Sequence, residues 1–500
     1  MFMRKESALP PLGAVYSMYI KELKRYGAYQ ILHSDSEEIC YLVLDYLEEV
    51  PPDPKYITSF QPFYQERYQY YHQLEICQIP NRKVPKDYLF IGVYPLAAKK
   101  ECTCFSERWK DGKEYIYEME WQTADPKQRA AYKKYCGSKE LVKVGKQYFK
   151  KNLNGMKTEL YQIAGKEFSI EQFPCITFVE VKGKQEGLLK CLEYADLIHT
   201  LRWWSPQIKV LDLRKTAIRC LEIDADGVEK IYLSKKIRRV ELYGTISPCL
   251  QILGEPKEYD LFLSVTWQPN GIFSYGLEHV GELRILNSKE LDLKAVLPFF
   301  KNLTSLSLQG YPGWLSGWDQ LEILSKLEEL EIKDLFGYTA ADTEVLEQIP
   351  KLKRLYLSGI PDEVGQSICR KWKGKLDLLE MSRLRSESWQ KENLENPFQH
   401  WDENKKIPTD AVKKAAKQYK KTKQIFKQAF ERERVILAVR EYAARFNRLN
   451  HRYAEFIETE QKADIFSALK RIYRETFMEE RGLIGIEEIT ELLDGERENW

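Results

Sequence analysis

The sequence of 500 residues lacks any long apolar run, and its positive and negative charges nearly cancel. No stretch reaches the roughly 18 apolar residues that a membrane-spanning helix needs. Residues 1–19 contain no long apolar stretch after their basic residues, so we do not expect a secretory signal. The formal net charge of +2 predicts no general attraction to nucleic acid or to anionic membranes.

Cysteine spacing of the kind that builds a disulfide framework is also missing. The ten cysteines are scattered, which predicts free thiols in a reducing compartment and therefore a cytoplasmic protein. Cys102 and Cys104, with Cys136 further along, are the nearest approach to a zinc pattern. No second close pair and no nearby histidine completes a tetrahedral set, so we expect neither a metal nor a cofactor.

Short motifs that carry chemistry are absent as well. The sequence has no phosphate-binding glycine loop, no G-x-S-x-G turn and no H-E-x-x-H helix. These absences favour a binding protein over an enzyme. They leave open an enzyme whose catalytic residues lie in the N-terminal part and meet only in space, with the rest of the chain selecting the substrate.

What the sequence does contain is a repeated triplet of large apolar residues, spaced as apolar-x-x-apolar-x-apolar. From residue 280 onward, the first residues of successive triplets are 23, 24, 25 and 24 positions apart, which leaves room for a strand, a turn and a returning helix. The earlier triplets begin only 9 or 10 positions apart, which predicts tighter and more extended returns. The triplets start at residues 208, 218, 228, 237, 280, 303, 327, 352 and 376, with a blurred copy at Leu261 and Leu263.

Residues 298–308, Pro-Phe-Phe-Lys-Asn-Leu-Thr-Ser-Leu-Ser-Leu, carry a resemblance to the leucine-rich-repeat family that extends over about residues 200–385. The resemblance implies an α/β solenoid of parallel strands with helical returns. The asparagine that usually follows three positions after the last strand leucine is missing, because Tyr311, Leu335 and Ile360 stand there. We therefore expect irregular repeats without an asparagine ladder.

The residues between the triplet positions are predicted to point outward, because successive side chains of a strand alternate between its two faces. Ten such strands form a face about 45 Å long at about 4.8 Å per strand. Its mixed charges favour a folded protein partner over a phosphate backbone, and the alternative is an ordinary solvated sheet. The predicted partner-binding residues are Tyr232, Arg238, Arg239, Phe262, Arg284, Glu331, Arg354 and Tyr356.

The flanking regions have different patterns. Residues 1–200 predict an aromatic-rich α+β domain, with a helix over 15–26 and a strand over 115–121 among its elements. Residues 386–408 read as a linker with one ordered segment at 396–401. Residues 409–500 predict a bundle of three amphipathic helices followed by a short acidic helix at 486–493.

The first helix of that bundle has seven lysines and no acid between residues 411 and 430. Such a face is typical of a nucleic-acid-associated factor, for which Lys413, Lys417 and Lys420 are the predicted contacts. A solvated helix face, balanced by acidic residues later in the bundle, is the more common reason for this pattern. The leading prediction is therefore a scaffold or adaptor that binds a folded protein and does not enter membranes, with nucleic acid as the less favoured partner.

Overall fold

The computed structural model describes residues 9–106, 109–158, 160, 172–254, 261–266, 280–404, 406–453, 455–498 and 500. A mainly antiparallel sheet forms the first part, a large parallel sheet the second and a group of α-helices the third. No helix in these ranges has both the length and the apolar character that crossing a bilayer requires.

The N-terminal part is built on a six-stranded sheet with the order β7-β1-β2-β3-β6-β8. Residues 15–26 form strands β1 and β2 and residues 115–121 lie in helix α1, so the predicted helix and the predicted strand are both wrong. The elements of this part are β1 (Ala14–Ile20), β2 (Arg25–Ser34), β3 (Glu38–Glu48), β4 (Tyr64–Gln65), β5 (Gln73–Leu74), β6 (Ile76–Pro80), β7 (Leu89–Val93), β8 (Cys104–Phe105), α1 (Lys113–Thr123), α2 (Pro126–Tyr135), β9 (Leu141–Val144) and β10 (Gln147–Lys150).

The second part is an eleven-stranded sheet in which all neighbouring strands are parallel. It begins at Gly155, well before the predicted boundary at residue 200. Its strands, in spatial order, are β11 (Gly155–Lys157), β12 (Phe178–Lys182), β13 (Thr200–Trp204), β15 (Cys220–Asp224), β17 (Arg239–Tyr243), β19 (Leu261–Thr266), β20 (Val280–Asp292), β21 (Ser305–Ser316), β22 (Glu329–Phe336), β23 (Arg354–Ser358) and β24 (Leu378–Ser382).

The inward side of this sheet explains the repeated triplets. Leu221, Val240, Leu263, Leu283 and Leu306 are register partners on consecutive strands, and each is at most 2% exposed. Complete burial of one such side chain stabilises the fold by about 2 kcal/mol. The ladder continues through later repeats, so consecutive strands share one apolar core.

Two early triplets belong to a different sheet. Residues 211–213 and 231–233 fall on a separate parallel sheet of three strands, β14 (Val210–Asp212), β16 (Lys230–Tyr232) and β18 (Gln251–Leu253). The early triplets therefore alternate between two sheets, because a step of about ten residues is half of one turn of the solenoid-like chain path. The prediction that all triplets form one face is wrong for these two.

The returning segments between the later strands are short and helical. Three are partly or wholly 3₁₀ in geometry, with i→i+3 bonds that turn the chain in few residues. These three are α4 (Leu293–Val296) with 3₁₀ residues Leu297–Phe299, and the 3₁₀ segments Trp318–Ile323 and Asp342–Gln348. Two further returns are α-helical: α3 (Leu188–Leu192), which lies between β12 and β13, and α5 (Asp362–Trp372).

The C-terminal part is helical and includes most of the predicted linker. Phe398 and Trp401 are 0% and 1% exposed in the core of the bundle, so residues 396–401 are part of that domain. The helices are α6 (Glu387–Asn393), a 3₁₀ segment (Gln399–Glu403), α7 (Thr409–Gln428), α8 (Arg432–Arg452), α9 (Thr459–Glu475), α10 (Met478–Arg481) and α11 (Ile486–Glu496).

Candidate functional site

The outward side of the eleven-stranded sheet, here called the sheet face, holds most of the predicted partner-binding residues. Residues at the same level on neighbouring strands form rows across this face. In the middle row, the register partners are Arg284, Ser307, Glu331 and Tyr356. In the preceding row Arg239 pairs with Phe262, and Glu329 pairs with Arg354.

Tyr232 is not part of the sheet face, which corrects its predicted position. It lies in β16 of the three-stranded sheet, where the Arg214 guanidinium stacks 4.5 Å from its ring centroid. Because successive early triplets alternate between the two sheets, Tyr232 of β16 lies on a different sheet from the strands before and after it, β15 and β17. It cannot contact the same partner surface as Phe262 unless the partner wraps around the molecule.

Phe262 is the centre of a cluster in which three predicted residues meet. The guanidinium of Arg239 lies 4.7 Å from its ring centroid, and that of Arg284 lies 5.4 Å from it on the next strand. Phe262 is only half-buried. Nε of Arg284 is buried without a hydrogen-bond partner among the described residues, and a buried donor in that state is unfavourable until it meets an acceptor. The cluster therefore combines an aromatic surface with two guanidinium groups on neighbouring strands.

Other charges on the sheet face are paired along the rows. Arg354 Nε donates to Glu329 Oε2 at 2.8 Å, and the Ser307 hydroxyl donates to Glu331 Oε2 at 2.6 Å. Pairs of this kind hold long side chains in one orientation on the sheet. The sheet face therefore carries fixed charges of both signs on strands β22 and β23.

Arg238 is engaged within the chain, in contrast to its predicted role in partner binding. Its guanidinium bonds to Glu22 at 3.1 Å and to Glu120 at 2.7 Å, and Arg219 bonds to Glu120 at 2.9 Å. These bonds join the N-terminal domain to the side of the large sheet at which its strands begin. Burial raises the pKa of Glu22, while Arg238 opposes that rise.

A second contact joins the N-terminal domain to the last strand of the large sheet, β24. Lys86 pairs with Asp377, and Arg82 lies 3.7 Å from Glu380 of β24. The N-terminal domain therefore contacts the large sheet both at β17 and at β24. Both ion pairs place the N-terminal domain beside the sheet at the side where its strands begin.

The N-terminal domain also encloses a charged cluster that the sequence did not reveal. Glu75, which is 3% exposed, pairs with Arg67 at 3.1 Å and with Lys110. Glu114, which is 2% exposed, accepts a hydrogen bond from the Tyr29 hydroxyl at 2.5 Å. Burial raises the pKa of Glu114 to about 7, although Lys110 opposes the rise. Glu75 and Glu114 are closed off from solvent, which favours a role in stabilising the domain.

The cysteines singled out by their spacing do not come together. Cys102 lies with its Sγ 3.1 Å from that of Cys40, and Cys104 is hydrogen-bonded to Cys77 on a neighbouring strand. The bond from Cys77 lowers the pKa of Cys104 to about 7, burial opposing it and Lys110 assisting. Cys136 lies instead beside the Tyr71 hydroxyl at 2.9 Å.

Among the described residues, the one group with metal-ligand geometry is His33, Asp35 and Glu38 at the turn between β2 and β3. Asp35 accepts hydrogen bonds from the backbone of Glu37 and Glu38, and Glu38 is bonded by Lys100 and Gln78. These carboxylates are therefore already engaged with donors of the chain itself.

The three lysines predicted for nucleic-acid contact all lie on exposed positions of α7. Nζ of Lys420 donates to the backbone oxygen of Glu392 at 3.4 Å. Lys413 and Lys417 have no ion-pair partner among the described residues. The helix is thus a solvated basic surface whose acidic neighbours neutralise only some of its lysines.

Comparison with solved structures found a likeness to a leucine-rich-repeat protein. A solved structure of a leucine-rich-repeat protein of Leptospira interrogans is 15% identical, and the match covers 49% of this chain and 94% of that chain. The TM-score is 0.18, so this weak likeness is consistent with leucine-rich repeats but does not assign a fold. No protein-family model and no curated protein matches the sequence.

Proposed function

We propose that this protein is a scaffold or adaptor that binds a folded protein partner through the sheet face of a leucine-rich-repeat-type solenoid. The observation that carries the proposal is the half-buried Phe262 between the guanidinium groups of Arg239 and Arg284. Aromatic and arginine side chains at the centre of a face are the residues that most often dominate binding free energy. The continuous aliphatic ladder beneath the face supports the solenoid, because it holds the strands in one register.

The free cysteines support placing this activity in the cytoplasm. All ten cysteines are unbridged in the structure, and such thiols persist in a reducing compartment. The alternative of an active site in the N-terminal domain has less support, since its charged cluster at Glu75 and Glu114 is enclosed.

The proposal is tested by capture of partners from a lysate of the native host on immobilised full-length protein, followed by mass spectrometry and reconstitution with the purified partner. The variant Phe262→Ala/Arg284→Ala should weaken the reconstituted complex about 30-fold, since anchors of this type contribute about 2 kcal/mol. It should keep the thermal unfolding profile of the wild type, because neither side chain belongs to the core.

The matched control is Tyr232→Ala/Arg214→Ala, which removes an equivalent aromatic–guanidinium pair from the three-stranded sheet. We expect this control to bind the partner as the wild type does. Undiminished binding by a folded Phe262/Arg284 variant, or equal loss in the control, would show that the sheet face is not the binding surface.

A further inference from the structure

The interface between helices α7 and α8 contains a cleft that is lined mainly by cationic side chains. The cleft has a volume of about 460 Å³. Its lining residues are Lys414, Arg445, Arg448, Leu449, His451 and Arg452. Arg445, Arg448 and Arg452 follow one another at i, i+3 and i+7, so α8 presents all three along one side. The volume lies within the range of small-ligand sites, about 300–1,000 Å³.

The carboxylates near the cleft do not neutralise it. Asp410 pairs with Lys414 and with the hydroxyl of Tyr453, and Glu498 pairs with His451. Arg445 and Arg448 have no acidic partner among the described residues. Four permanent cations, on Lys414, Arg445, Arg448 and Arg452, against the carboxylates of Asp410 and Glu498 leave an excess of two positive charges when His451 is neutral. The whole chain has a net charge of only +2, so this concentration is local.

The positive surface continues from the cleft along α7. Lys413 and Lys417 are exposed beside Lys414, and Lys420 lies one turn further on. Seven residues of helix extend the surface by about 10 Å at 1.5 Å per residue. The next residue, Lys421, is paired with Glu441 of α8, so the positive charge is neutralised at this point of the helix.

An aromatic ring lies beside the cations. The ring of Tyr453 has Lys414 Nζ at 5.4 Å and the Arg452 guanidinium at 5.6 Å from its centroid. Positive grooves with adjacent aromatic rings bind single-stranded nucleic acid, the cations meeting phosphates and the rings meeting bases. Guanidinium groups also match the geometry of phosphate oxygens better than an ammonium group does.

We propose that this cleft and the adjoining lysines bind the phosphate backbone of a single nucleic-acid strand. Arg445, Arg448 and Arg452 would contact consecutive phosphates, and Lys413 and Lys417 would continue the contact along α7. Backbone contacts of this kind are independent of base sequence and strongly dependent on salt. The inference does not rest on the sheet face, which lies in another part of the chain.

The experiment measures fluorescence anisotropy of a labelled 12-nucleotide deoxythymidine strand with the full-length protein between 50 and 300 mM salt. Arg445→Glu/Arg448→Glu should weaken binding more than tenfold. It should also reduce the slope of log affinity against log salt by about 1.4, since each lost phosphate contact removes about 0.7 for single strands.

The control Lys143→Glu/Lys146→Glu makes the same change in net charge at two exposed lysines near the β9–β10 hairpin. It should bind within twofold of the wild type. Arg448→Gln, a milder change at an exposed position, keeps the test valid if the double reversal fails to fold.

Three outcomes would overturn the inference. The first is no measurable binding of the strand at 50 mM salt. The second is equal weakening by the hairpin control, which would mean that only total charge matters. The third is full displacement of the strand by inorganic tripolyphosphate at the same phosphate concentration, which would assign the cleft to a small phosphorylated ligand.

Discussion

Glu475 of helix α9 forms an ion pair with Lys289 of strand β20 and thereby joins the helical bundle to the large sheet. The same carboxylate lies 2.8 Å from Lys423 and 2.8 Å from Arg471, and its side chain is only 15% exposed. Arg471 in turn donates to the backbone oxygen of Tyr311 at 3.3 Å. One acid thus connects two helices and a strand.

We expect Glu475→Gln to destabilise the contact between bundle and sheet by about 3 kcal/mol, because it leaves the largely buried cations of Lys423 and Arg471 and the half-exposed Lys289 without this counter-charge. Burial alone would raise the pKa of Glu475, but the bonds from Lys289, Lys423 and Arg471 outweigh it and lower the pKa to about 2. Its contribution is therefore complete above the unfolded pKa of 4.5 and disappears as the pH falls toward 2.

Hydrogen exchange of residues 305–316 and of α9 measures this contact at pH 7. Glu480→Gln is the control, since that residue is exposed in the same region. If Glu475→Gln leaves exchange on both sides unchanged, the ion pairs do not hold the bundle to the sheet.

The helices of the bundle and the later strands could be placed from the sequence because their apolar periods are strong. The N-terminal domain was harder. Residues 15–26 combine apolar residues at spacings that suit a helix, yet they form a hairpin in which Tyr19 pairs with Tyr26. Tyr115 and Trp121 suggested a strand by composition, but both rings are buried from helix α1 in two separate apolar clusters, since tertiary packing overrides β-propensity.

The candidate site was only partly predictable for a similar reason. Phe262, Arg239 and Arg284 could be assigned to one face from the alternation of side chains. The arrangement of Glu22 and Glu120 around Arg238 depends on how two domains pack, and no local pattern encodes it.

Gly313 occupies a tight position in strand β21, at the irregular pairing with β22. A Cβ there would lie 2.0 Å from the backbone oxygen of Ser288, a contact that requires one of the strands to move. We expect Gly313→Ala to destabilise the protein by about 3 kcal/mol through this overpacking. Thermal unfolding checks the expectation.

Gly137→Ala provides the comparison, because no atom lies within 4 Å of a Cβ at that position. It should unfold within a degree or two of the wild type. Equal midpoints for the two variants would mean that the strands near Ser288 rearrange without loss of stability.

Glu114 makes the N-terminal domain sensitive to pH in the neutral range. Its pKa is about 7 in the folded protein because of burial, against an ordinary value of 4.5. Between these values the folded state keeps the proton and the unfolded state releases it, so stability falls as the pH rises from about 4.5 to 7 and stays low above it. A shift of this size corresponds to about 3 kcal/mol.

Hydrogen exchange of strand β2, corrected for the intrinsic effect of pH, should therefore show weaker protection at pH 8 than at pH 5. Glu114→Gln keeps a neutral acceptor for the Tyr29 hydroxyl and should remove most of this difference, with β2 better protected than in the wild type at pH 8. Glu48→Gln, at an exposed position of β3, should retain the wild-type dependence. If Glu114→Gln shows the same loss of protection between pH 5 and 8 as the wild type, another group is responsible, and the enclosed cluster does not control the stability of this domain.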